Sequence, residues 1–462
     1  MSREKIKNTL QERWKALQSF IQDNRALSIY WILLTGILIY QHSLGWNWDF
    51  LVYLMNGEYI FHGGHFMEWL RPPLAPLIMG LLQFVFSRPV SGYIFITVAS
   101  GLFLYSAKRF SESQDLDLKV FLTLVSGPAF IALSTREGTE MLALAFALLF
   151  LTDLNRTRSG LWLGVSILTR WTQAVMIPLM LLRKRYGKIV KTGLISAAVF
   201  VPWMLYSFIV TGDPLASPIS FITLNILLRA ESTPLEPLHF LGISFPAIIL
   251  IALGFRASAR EKITSVIGEE KVSWALMYIA GAYSVIYFIS GITHLRYLYP
   301  LVLPLAFFGA KAWETIDREK IIYGFMAINL IGGFIMATET GFESPNPYQE
   351  AAENIDCMAE SDSWPLLNYA GLKAESPVNS KITEERIREG WRVLDFTGKL
   401  VNSSELSSGE LIRNTGSYRV YGIPGRCAEP EKVDGTRIDE YNNAKGTNFT
   451  ETGFIIDYLN LR

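Results

Sequence analysis

Apolar stretches separated by short charged segments recur along residues 1–340 of this 462-residue chain. Each holds about 16 to 20 residues, close to the length that a helix needs to cross the hydrocarbon layer of a membrane. The regular stretches predict nine membrane-spanning helices. They are 27–45, 91–107, 119–135, 139–154, 191–210, 240–255, 272–291, 295–310 and 321–337.

Two further apolar stretches are irregular. Residues 74–86 are too few to cross a membrane, so we expect them to lie on its outer face. Residues 161–182 are interrupted at Thr169-Arg170-Trp171-Thr172, and a single crossing would place Arg156 and Arg183 on opposite sides. Because short cytoplasmic loops hold the Lys and Arg residues, we predict a hairpin of two half-spans. Its tip must lie in protein or in a water-filled cavity.

Lys and Arg are distributed unequally over the predicted loops. The six segments predicted to lie inside carry 23 of them, whereas the outer loops before residue 340 carry five. This bias predicts eleven crossings, with the N-terminus in the cytoplasm and the C-terminus outside. Half of the residues are apolar and the formal net charge is zero, so the composition indicates an all-α polytopic membrane protein and does not favour nucleic acid binding.

The two ends of the chain differ from the apolar body, residues 27–338. Residues 1–26 predict a basic amphipathic helix on the inner membrane surface, with a stripe of apolar residues along one side. Residues 339–462 are polar, with short alternating runs that predict a small extracytoplasmic α/β domain. Both cysteines, Cys357 and Cys427, lie there. An oxidising compartment favours a disulfide between them, although two buried thiols remain an alternative.

The first outer loop, residues 46–90, is rich in ionisable groups. Such a loop between hydrophobic spans is costly unless it builds a site at the membrane face. The predicted topology brings two further charged segments to the same face, around residues 136–140 and 294–296. The candidate site residues are Asp49, Tyr53, His65, Glu68, Arg71, Glu137, Glu140, His294, Arg296 and Tyr297. Zinc spacings, a Gly-rich loop after a strand and a GxSxG motif are absent from the sequence.

Three motifs on this face resemble a known family. The first runs from Trp48-Asp49-Phe50 through Asn56-Gly57 to Arg71-Pro72-Pro73-Leu74; the others are residues 164–170 and His294-Leu295-Arg296-Tyr297. Together they are similar to the GT-C superfamily of membrane glycosyltransferases, in the branch of protein O-mannosyltransferases and the lipid A aminoarabinose transferase. The resemblance covers about residues 27–337.

The resemblance implies an inverting transfer of a sugar from a polyprenyl or dolichyl phosphate to an acceptor hydroxyl. Asp49 matches the family's catalytic base, which takes the proton of the attacking hydroxyl. Arg296, followed by Arg71 and His294, is the expected ligand of the departing phosphate. Glu137 and Glu140 lie where the family places its second acidic group. Tyr53, His65, Glu68 and Tyr297 are expected to bind substrate. No cofactor is indicated, and metal dependence stays open.

Two departures from the family's motifs limit the type of transfer that is expected. Asp49 is followed by Phe50 where many members have a second carboxylate. The segment Arg136-Glu137-Gly138-Thr139-Glu140 lacks the Asp-x-Asp character of oligosaccharyltransferases, and their Trp-Trp-Asp-Tyr-Gly signature is absent from the sequence. Transfer of oligosaccharide to asparagine is therefore not expected.

Each candidate also has a structural interpretation. Asp49 is placed to cap the following helix, and Arg71 to extend to lipid headgroups. Arg296 is placed to anchor a helix end at the interface. The remaining alternatives are an ion pair of Glu137 or Glu140 with Arg136, backbone capping by Arg170 at the hairpin tip, and a merely polar loop role for His62 and His65.

Two other classes of function share the spans and the charges. A transporter or flippase for a lipid-linked glycan would show internal repeats with paired broken helices, and the sequence has no such repeats. A non-catalytic subunit of a glycan assembly complex would keep the scaffold without needing the base. The substitution Asp49→Asn distinguishes this subunit from an enzyme.

Overall fold

Long apolar helices form the body of the protein. In the computed structural model, four of the described helices are long and apolar enough to cross a membrane, and only 17 to 50% of their most apolar windows is buried inside the protein. Surfaces of this kind suit a lipid environment. These helices are Arg25–Ser43, Arg88–Ser113, Tyr186–Thr211 and Lys320–Glu339. The chain is a helical membrane protein, as its apolar pattern predicts.

The structure describes most of the chain. The described residues are 11–12, 15, 18–19, 21–183, 185–223, 242–243, 245–254, 261, 263, 265, 271–289, 295–314, 319–339, 341–377, 380–398, 400 and 409–433. The predicted amphipathic helix of residues 1–26 and the candidate His294 therefore lie largely or wholly outside the described residues.

The helices of the membrane portion follow in chain order, with a 3₁₀ segment at Trp171–Leu182 between α8 and α9 and two 3₁₀ turns, Leu295–Tyr297 and Tyr299–Leu301, before α13. They are α1 (Arg25–Ser43), α2 (Trp48–His62), α3 (Leu74–Leu82), α4 (Arg88–Ser113), α5 (Leu118–Val125), α6 (Pro128–Leu133), α7 (Glu140–Thr152), α8 (Ser159–Thr169), α9 (Tyr186–Thr211), α10 (Ala216–Ile222), α11 (Phe245–Gly254), α12 (Lys271–Ile289), α13 (Val302–Trp313) and α14 (Glu319–Glu339).

The predicted span 119–135 is not one helix. Asp117 caps α5 by accepting hydrogen bonds from the backbone N–H groups of Lys119 and Val120, and α5 ends at Val125. The chain restarts as α6 at Pro128, which lacks the N–H that an unbroken helix would need there. The prediction of one continuous helix was therefore wrong, although the Gly127-Pro128 pair is a helix-breaking signal.

The predicted hairpin is present. The backbone at Arg170 is extended, with φ −156° and ψ 117°, and separates α8 from the 3₁₀ segment Trp171–Leu182. At the far end of that segment, Arg183 donates hydrogen bonds to the carbonyl of Arg156, 2.9 Å away, and to the hydroxyl of Ser159. The end of the 3₁₀ segment therefore lies beside the start of α8, and Arg170 lies at the tip between these two arms.

The short apolar stretch within the first outer loop forms α3, which packs closely against α2. A Cβ added to Gly57 would lie 2.7 Å from the carbonyl oxygen of Pro76 and 2.8 Å from the backbone nitrogen of Gly80. Only glycine permits this approach of the two backbones. The contact fixes the direction in which the chain leaves the preceding loop.

The C-terminal unit, residues 341–433, contains a five-stranded sheet of order β2-β1-β3-β5-β4. Strand β1 pairs in parallel with β2 and β3, whereas β5 pairs antiparallel with β3 and β4. The small α/β unit expected from the alternating runs is therefore present. Its elements are α15 (Asn346–Asn354), β1 (Ala359–Ser361), α16 (Trp364–Ala370), β2 (Ala374–Glu375), α17 (Ser380–Glu389), β3 (Arg392–Asp395), β4 (Glu410–Asn414) and β5 (Arg419–Gly422).

The C-terminal unit contacts the first outer loop. Cys357 and Cys427 form a disulfide within the unit, which decides between the two alternatives left by the sequence. Val433 then pairs with the loop, accepting from the N–H of Met67 and donating to the carbonyl of His65, each at 2.7 Å. The ring of Trp364 lies 6.0 Å from that of Trp48. These contacts hold the loop against the C-terminal unit.

Candidate active site

A polar cavity of about 230 Å³ lies where α2, the first outer loop, the start of α7, the hairpin tip and the turn Leu295–Tyr297 meet. We call it the polar cavity. Its lining residues are Trp48, Asp49, Tyr53, Glu68, Leu70, Arg71, Pro72, Glu137, Thr139, Glu140, Arg170, Trp171, Thr172, Phe221, Arg296 and Tyr297. Eight of the ten residues predicted from the sequence are among them.

Asp49 lies at the centre of this cavity. Its carboxylate oxygens contact two different guanidinium groups, Oδ1 with Arg71 Nη2 and Oδ2 with Arg296 Nη1, each at 2.6 Å. The cap of α2 is Asn47, whose side chain accepts from the N–H of Phe50 at 3.2 Å. The alternative that Asp49 itself caps the helix was therefore wrong. Its position in the first turn nevertheless suits a negative charge.

Arg71 is held in place by the loop that carries it. Its Nε donates to Glu68 Oε2 at 2.6 Å, and its guanidinium lies 5.8 Å from the ring centre of Tyr53. Glu68 is in turn fixed by Asn56, whose amide exchanges hydrogen bonds of 2.9 and 3.0 Å with the backbone of Glu68. Arg71 therefore points into the cavity, and the headgroup alternative was wrong for this side chain.

Arg296 is shared between two carboxylates. Its Nη1 lies 2.6 Å from Asp49 Oδ2 and 2.9 Å from Glu137 Oε2, and its guanidinium lies 5.3 Å from the ring centre of Tyr297. One cation therefore links the first outer loop to the segment before α7. Glu137 pairs with Arg296 and not with Arg136, which donates to the carbonyl of Gly341.

Glu140 and Arg170 form a buried ion pair. The carboxylate of Glu140 accepts from Arg170 and from the N–H of Thr139, and only 1% of its side chain is exposed. The guanidinium of Arg170 lies 6.0 Å from the ring centre of Tyr297. Backbone capping by Arg170 was thus the wrong interpretation. The sequence contained a signal for the pair, since the predicted topology puts both residues on the outer face.

The ionisation of the two central carboxyl groups differs. Burial by itself raises the pKa of Asp49, but the charges of Arg71 and Arg296 hold it well below its usual range. Burial and the adjacent negative charge of Asp49 raise the pKa of Glu137 to about 8. Asp49 is therefore the first of the two groups to lose its proton, and Glu137 is the one that holds a proton more readily. Opposite shifts of this kind are common in pairs with separate acid and base roles.

An apolar groove of about 400 Å³ adjoins the polar cavity. It lies between the 3₁₀ segment of the hairpin and α9, and Trp171 lines both spaces. The indole N–H of Trp171 donates to the carbonyl of Leu70 at 3.1 Å, directly before Arg71. A ligand with a charged head and a hydrocarbon tail fits this pair of spaces.

The two remaining predicted residues are His65 and His294, and His62 is a further histidine of the first outer loop. His65 is not among the residues lining the polar cavity; its backbone pairs with Val433 of the C-terminal unit. His62 ends α2, and its Nε2 lies 3.0 Å from the carbonyl oxygen of Gly80. His294 lies outside the described residues. Among the described residues, no group of three His, Cys, Asp or Glu side chains could hold a metal ion.

Comparison with known proteins identifies the fold. No protein-family model and no curated protein sequence matches the chain. The structure of ArnT from Cupriavidus metallidurans bound to undecaprenyl phosphate matches with a TM-score of 0.58 and 10% sequence identity, covering 88% of this chain and 99% of that one. The apo structure of the same protein gives the same score and identity, covering 88% and 98%. The chain has the ArnT fold.

The likeness of fold to ArnT supports the resemblance drawn from the three sequence motifs. The match covers 88% of this chain, more than residues 27–338 make up, so it extends beyond the membrane portion. At 10% identity the likeness to ArnT is one of fold, which leaves the chemistry to be argued from the residues of the polar cavity.

Proposed function

We propose that this chain is an inverting glycosyltransferase that moves a sugar from a polyprenyl or dolichyl phosphate to an acceptor hydroxyl at the outer face of the membrane. The observation that carries the proposal is a single carboxylate, Asp49, held between Arg71 and Arg296 in a cavity that adjoins an apolar groove. The ArnT fold supports the same reaction class, since the matched ArnT structure is bound to undecaprenyl phosphate.

The donor spans the two spaces. The prenyl chain lies in the apolar groove, and the phosphate passes Trp171 into the polar cavity. Burying the first isoprene units removes apolar surface from water at roughly 25 cal/mol per Å². The guanidinium groups of Arg71 and Arg296 then bind phosphate oxygens, which match the planar fork of arginine.

The transfer is a single displacement. Asp49 accepts the proton of the acceptor hydroxyl while its oxygen attacks the anomeric carbon, and the bond from that carbon to the phosphate oxygen breaks. The released polyprenyl phosphate carries the departing electron pair, and Arg71 and Arg296 stabilise its charge. Attack opposite the leaving group inverts the anomeric centre. Since phosphate leaves as an anion, no general acid is required.

The remaining charged pair supports this arrangement. Glu140 holds Arg170 beside Tyr297, so the hairpin tip keeps a fixed position between groove and cavity. We assign a positioning role to Glu140 and Arg170, and a role at the reacting atoms to Asp49. Glu137 acts through Arg296, which it shares with Asp49.

The orientation in the membrane belongs to the same proposal. Eleven crossings place residues 46–90, the hairpin tip and the C-terminal unit outside. The Lys and Arg bias of the loops supports this orientation. The disulfide of Cys357 and Cys427 supports an oxidising location for the C-terminal unit. The division of the chain at residues 26 and 338 belongs to the same proposal.

The deciding experiment incubates the purified protein with a panel of polyprenyl-phosphate sugars and a mixture of hydroxyl acceptors. Mass spectrometry is expected to show one donor converted to polyprenyl phosphate, and NMR of the product is expected to show an inverted anomeric centre. Asp49→Asn is the control and is expected to leave the donor intact. If the wild-type protein binds a donor but converts none of the panel, even when membrane extracts supply the acceptor, the result would favour a non-catalytic assembly subunit.

A further inference from the structure

The charges of the polar cavity do not balance when all groups are ionised. Three guanidinium groups face four carboxyl groups among the described residues of the cavity lining. Each guanidinium is already paired with at least one carboxylate. The pairs are Arg71 with Asp49 and Glu68, Arg296 with Asp49 and Glu137, and Arg170 with Glu140.

The excess of carboxyl groups over guanidinium groups opposes binding of the proposed donor. A phosphodiester brings one more negative charge into a cavity that would already hold an excess negative charge. It must also draw guanidinium groups away from carboxylates that are largely buried. A carboxylate left without its cation in such a place is costly, so the usual response is protonation.

Glu137 is the group best placed to take this proton. Within the described residues it makes one ion pair, to Arg296, and it competes for that cation with Asp49, which lies closer. Asp49, in contrast, contacts two guanidinium groups. Glu68 is bound by Arg71, and Glu140 accepts both from Arg170 and from a backbone N–H.

The surrounding charged and titratable groups come from every described element that forms the cavity. Burial and the charge of Asp49 raise the pKa of Glu137, which agrees with its position, whereas the charge of Arg296 opposes the rise. The charged and titratable groups around Glu137 are Asp49 and Tyr53 of α2, Glu68 and Arg71 of the first outer loop, Arg136 and Glu140 near Glu137 in the chain, Arg170 of the hairpin tip, and Arg296, Tyr297 and Tyr299 of the 3₁₀ turns.

We propose that the cavity binds its lipid phosphodiester together with one proton, which is carried by Glu137. The inference rests on the proposed function, because it takes the donor to be such a diester. Protonated Glu137 no longer forms an ion pair with Arg296, so this guanidinium binds the phosphate. Asp49 stays ionised and is freed from part of its pairing in the same step. Donor binding thus prepares the base before the acceptor arrives.

The test measures binding of undecaprenyl methyl phosphate, a diester that does not titrate near neutral pH and has no sugar to transfer. A monoester would itself titrate near pH 6. The readout is calorimetry on the full-length protein in detergent from pH 6.5 to 9.5. Because the ionised form of Glu137 opposes binding, Kd is expected to rise about tenfold from pH 7 to pH 9.

Two variants sharpen the test. Glu137→Gln mimics the protonated side chain, so its Kd is expected to stay at the wild-type pH 7 value up to pH 9. Glu58→Gln is the matched control, because Glu58 pairs with Arg88 and does not line the polar cavity. This control is expected to keep the wild-type pH dependence.

Proton uptake is measured directly in the wild type, which needs no variant to fold. Binding enthalpies at pH 8.5 in two buffers of different ionisation enthalpy are expected to report roughly three quarters of a proton taken up per ligand. A Kd that is constant from pH 7 to 9 with no proton uptake, or a Glu137→Gln variant with the wild-type slope, would overturn the inference and leave the proposed function standing. Absence of binding at every pH would overturn both.

Discussion

The substitution Asp49→Asn separates the chemical role of this residue from its structural one. Asparagine keeps the size of the side chain and one oxygen that accepts a hydrogen bond, but it cannot take the proton of an attacking hydroxyl. Since Asn47 and not Asp49 caps α2, the helix start is unaffected. The perturbation is therefore confined to the centre of the polar cavity.

The expected loss of transfer rate is much larger than the expected loss of folding stability. Losing a general base costs about 10²- to 10⁴-fold in rate, or about 2.7–5.4 kcal/mol at ~1.36 kcal/mol per tenfold. The cost in folding is much smaller, because Arg71 keeps Glu68 and Arg296 keeps Glu137 as ionic partners. Neither guanidinium is left as the unpaired buried charge that would cost about 3–5 kcal/mol.

The assay follows release of polyprenyl phosphate under single-turnover conditions, with binding of undecaprenyl methyl phosphate measured on the same preparations. We expect Asp49→Asn to bind this diester at least as tightly as the wild type, because the variant removes a negative charge that faces the phosphate. Its transfer rate should be at most one hundredth of the wild-type rate. Glu58→Gln is expected to keep both properties.

Two results would refute this reasoning. A variant that retains more than a tenth of the wild-type transfer rate would show that Asp49 is not the base. A variant that transfers slowly only because it no longer binds the diester would show that Asp49 organises the arginines and does no proton transfer. Thermal melting of the purified variant shows whether either result reflects unfolding.

Three other predictions test the charged pairs and the disulfide. Arg71→Lys loses the fork that contacts two carboxylates, so donor KM should rise roughly 10- to 100-fold, for one lost charge-assisted contact, in steady-state kinetics. Glu140→Gln leaves Arg170 buried without its counterion and should lower the free energy of unfolding by about 3–5 kcal/mol, whereas the double variant with Arg170→Gln should recover much of this loss in detergent denaturation curves. Replacing Cys357 and Cys427 by serine opens a loop of 70 residues and should lower the stability of the C-terminal unit by about 2–5 kcal/mol. The variant should therefore be cleaved faster by protease. Reducing agent should speed cleavage of the wild type in the same way and leave cleavage of the variant unchanged.

The apolar pattern predicted the helical fold because lipid exposure requires long apolar faces, as on α4 and α9. The same pattern was less informative for helices buried in protein. Helix α7 is only 13 residues long and is buried on nearly all sides, so its sequence is apolar for reasons of packing as well as of crossing. The break between α5 and α6 was missed because hydropathy averages over the Gly127-Pro128 pair.

The sequence predicted the residues of the site better than their partners. Asp49, Arg71 and Arg296 are recognisable as candidates because ionisable groups next to membrane spans are costly without a function. The pairing of Asp49 with Arg296 joins segments nearly 250 residues apart, and no local pattern contains that contact. Arg170 was misinterpreted because the predicted topology placed it on the same face as Glu140 but did not show that the two side chains touch.

The ion pairs of the cavity differ in how firmly they are fixed, and this difference determines where a substrate can act. Glu68 is held by the amide of Asn56, and Glu140 by a backbone N–H, so the pairs that they make have a fixed partner. Arg296 instead divides a single nitrogen between two carboxylates at 2.6 and 2.9 Å. A phosphate that displaces the more distant carboxylate disturbs the fewest contacts. In the proposed reaction, Arg296 is therefore the cation through which donor binding would act on Asp49.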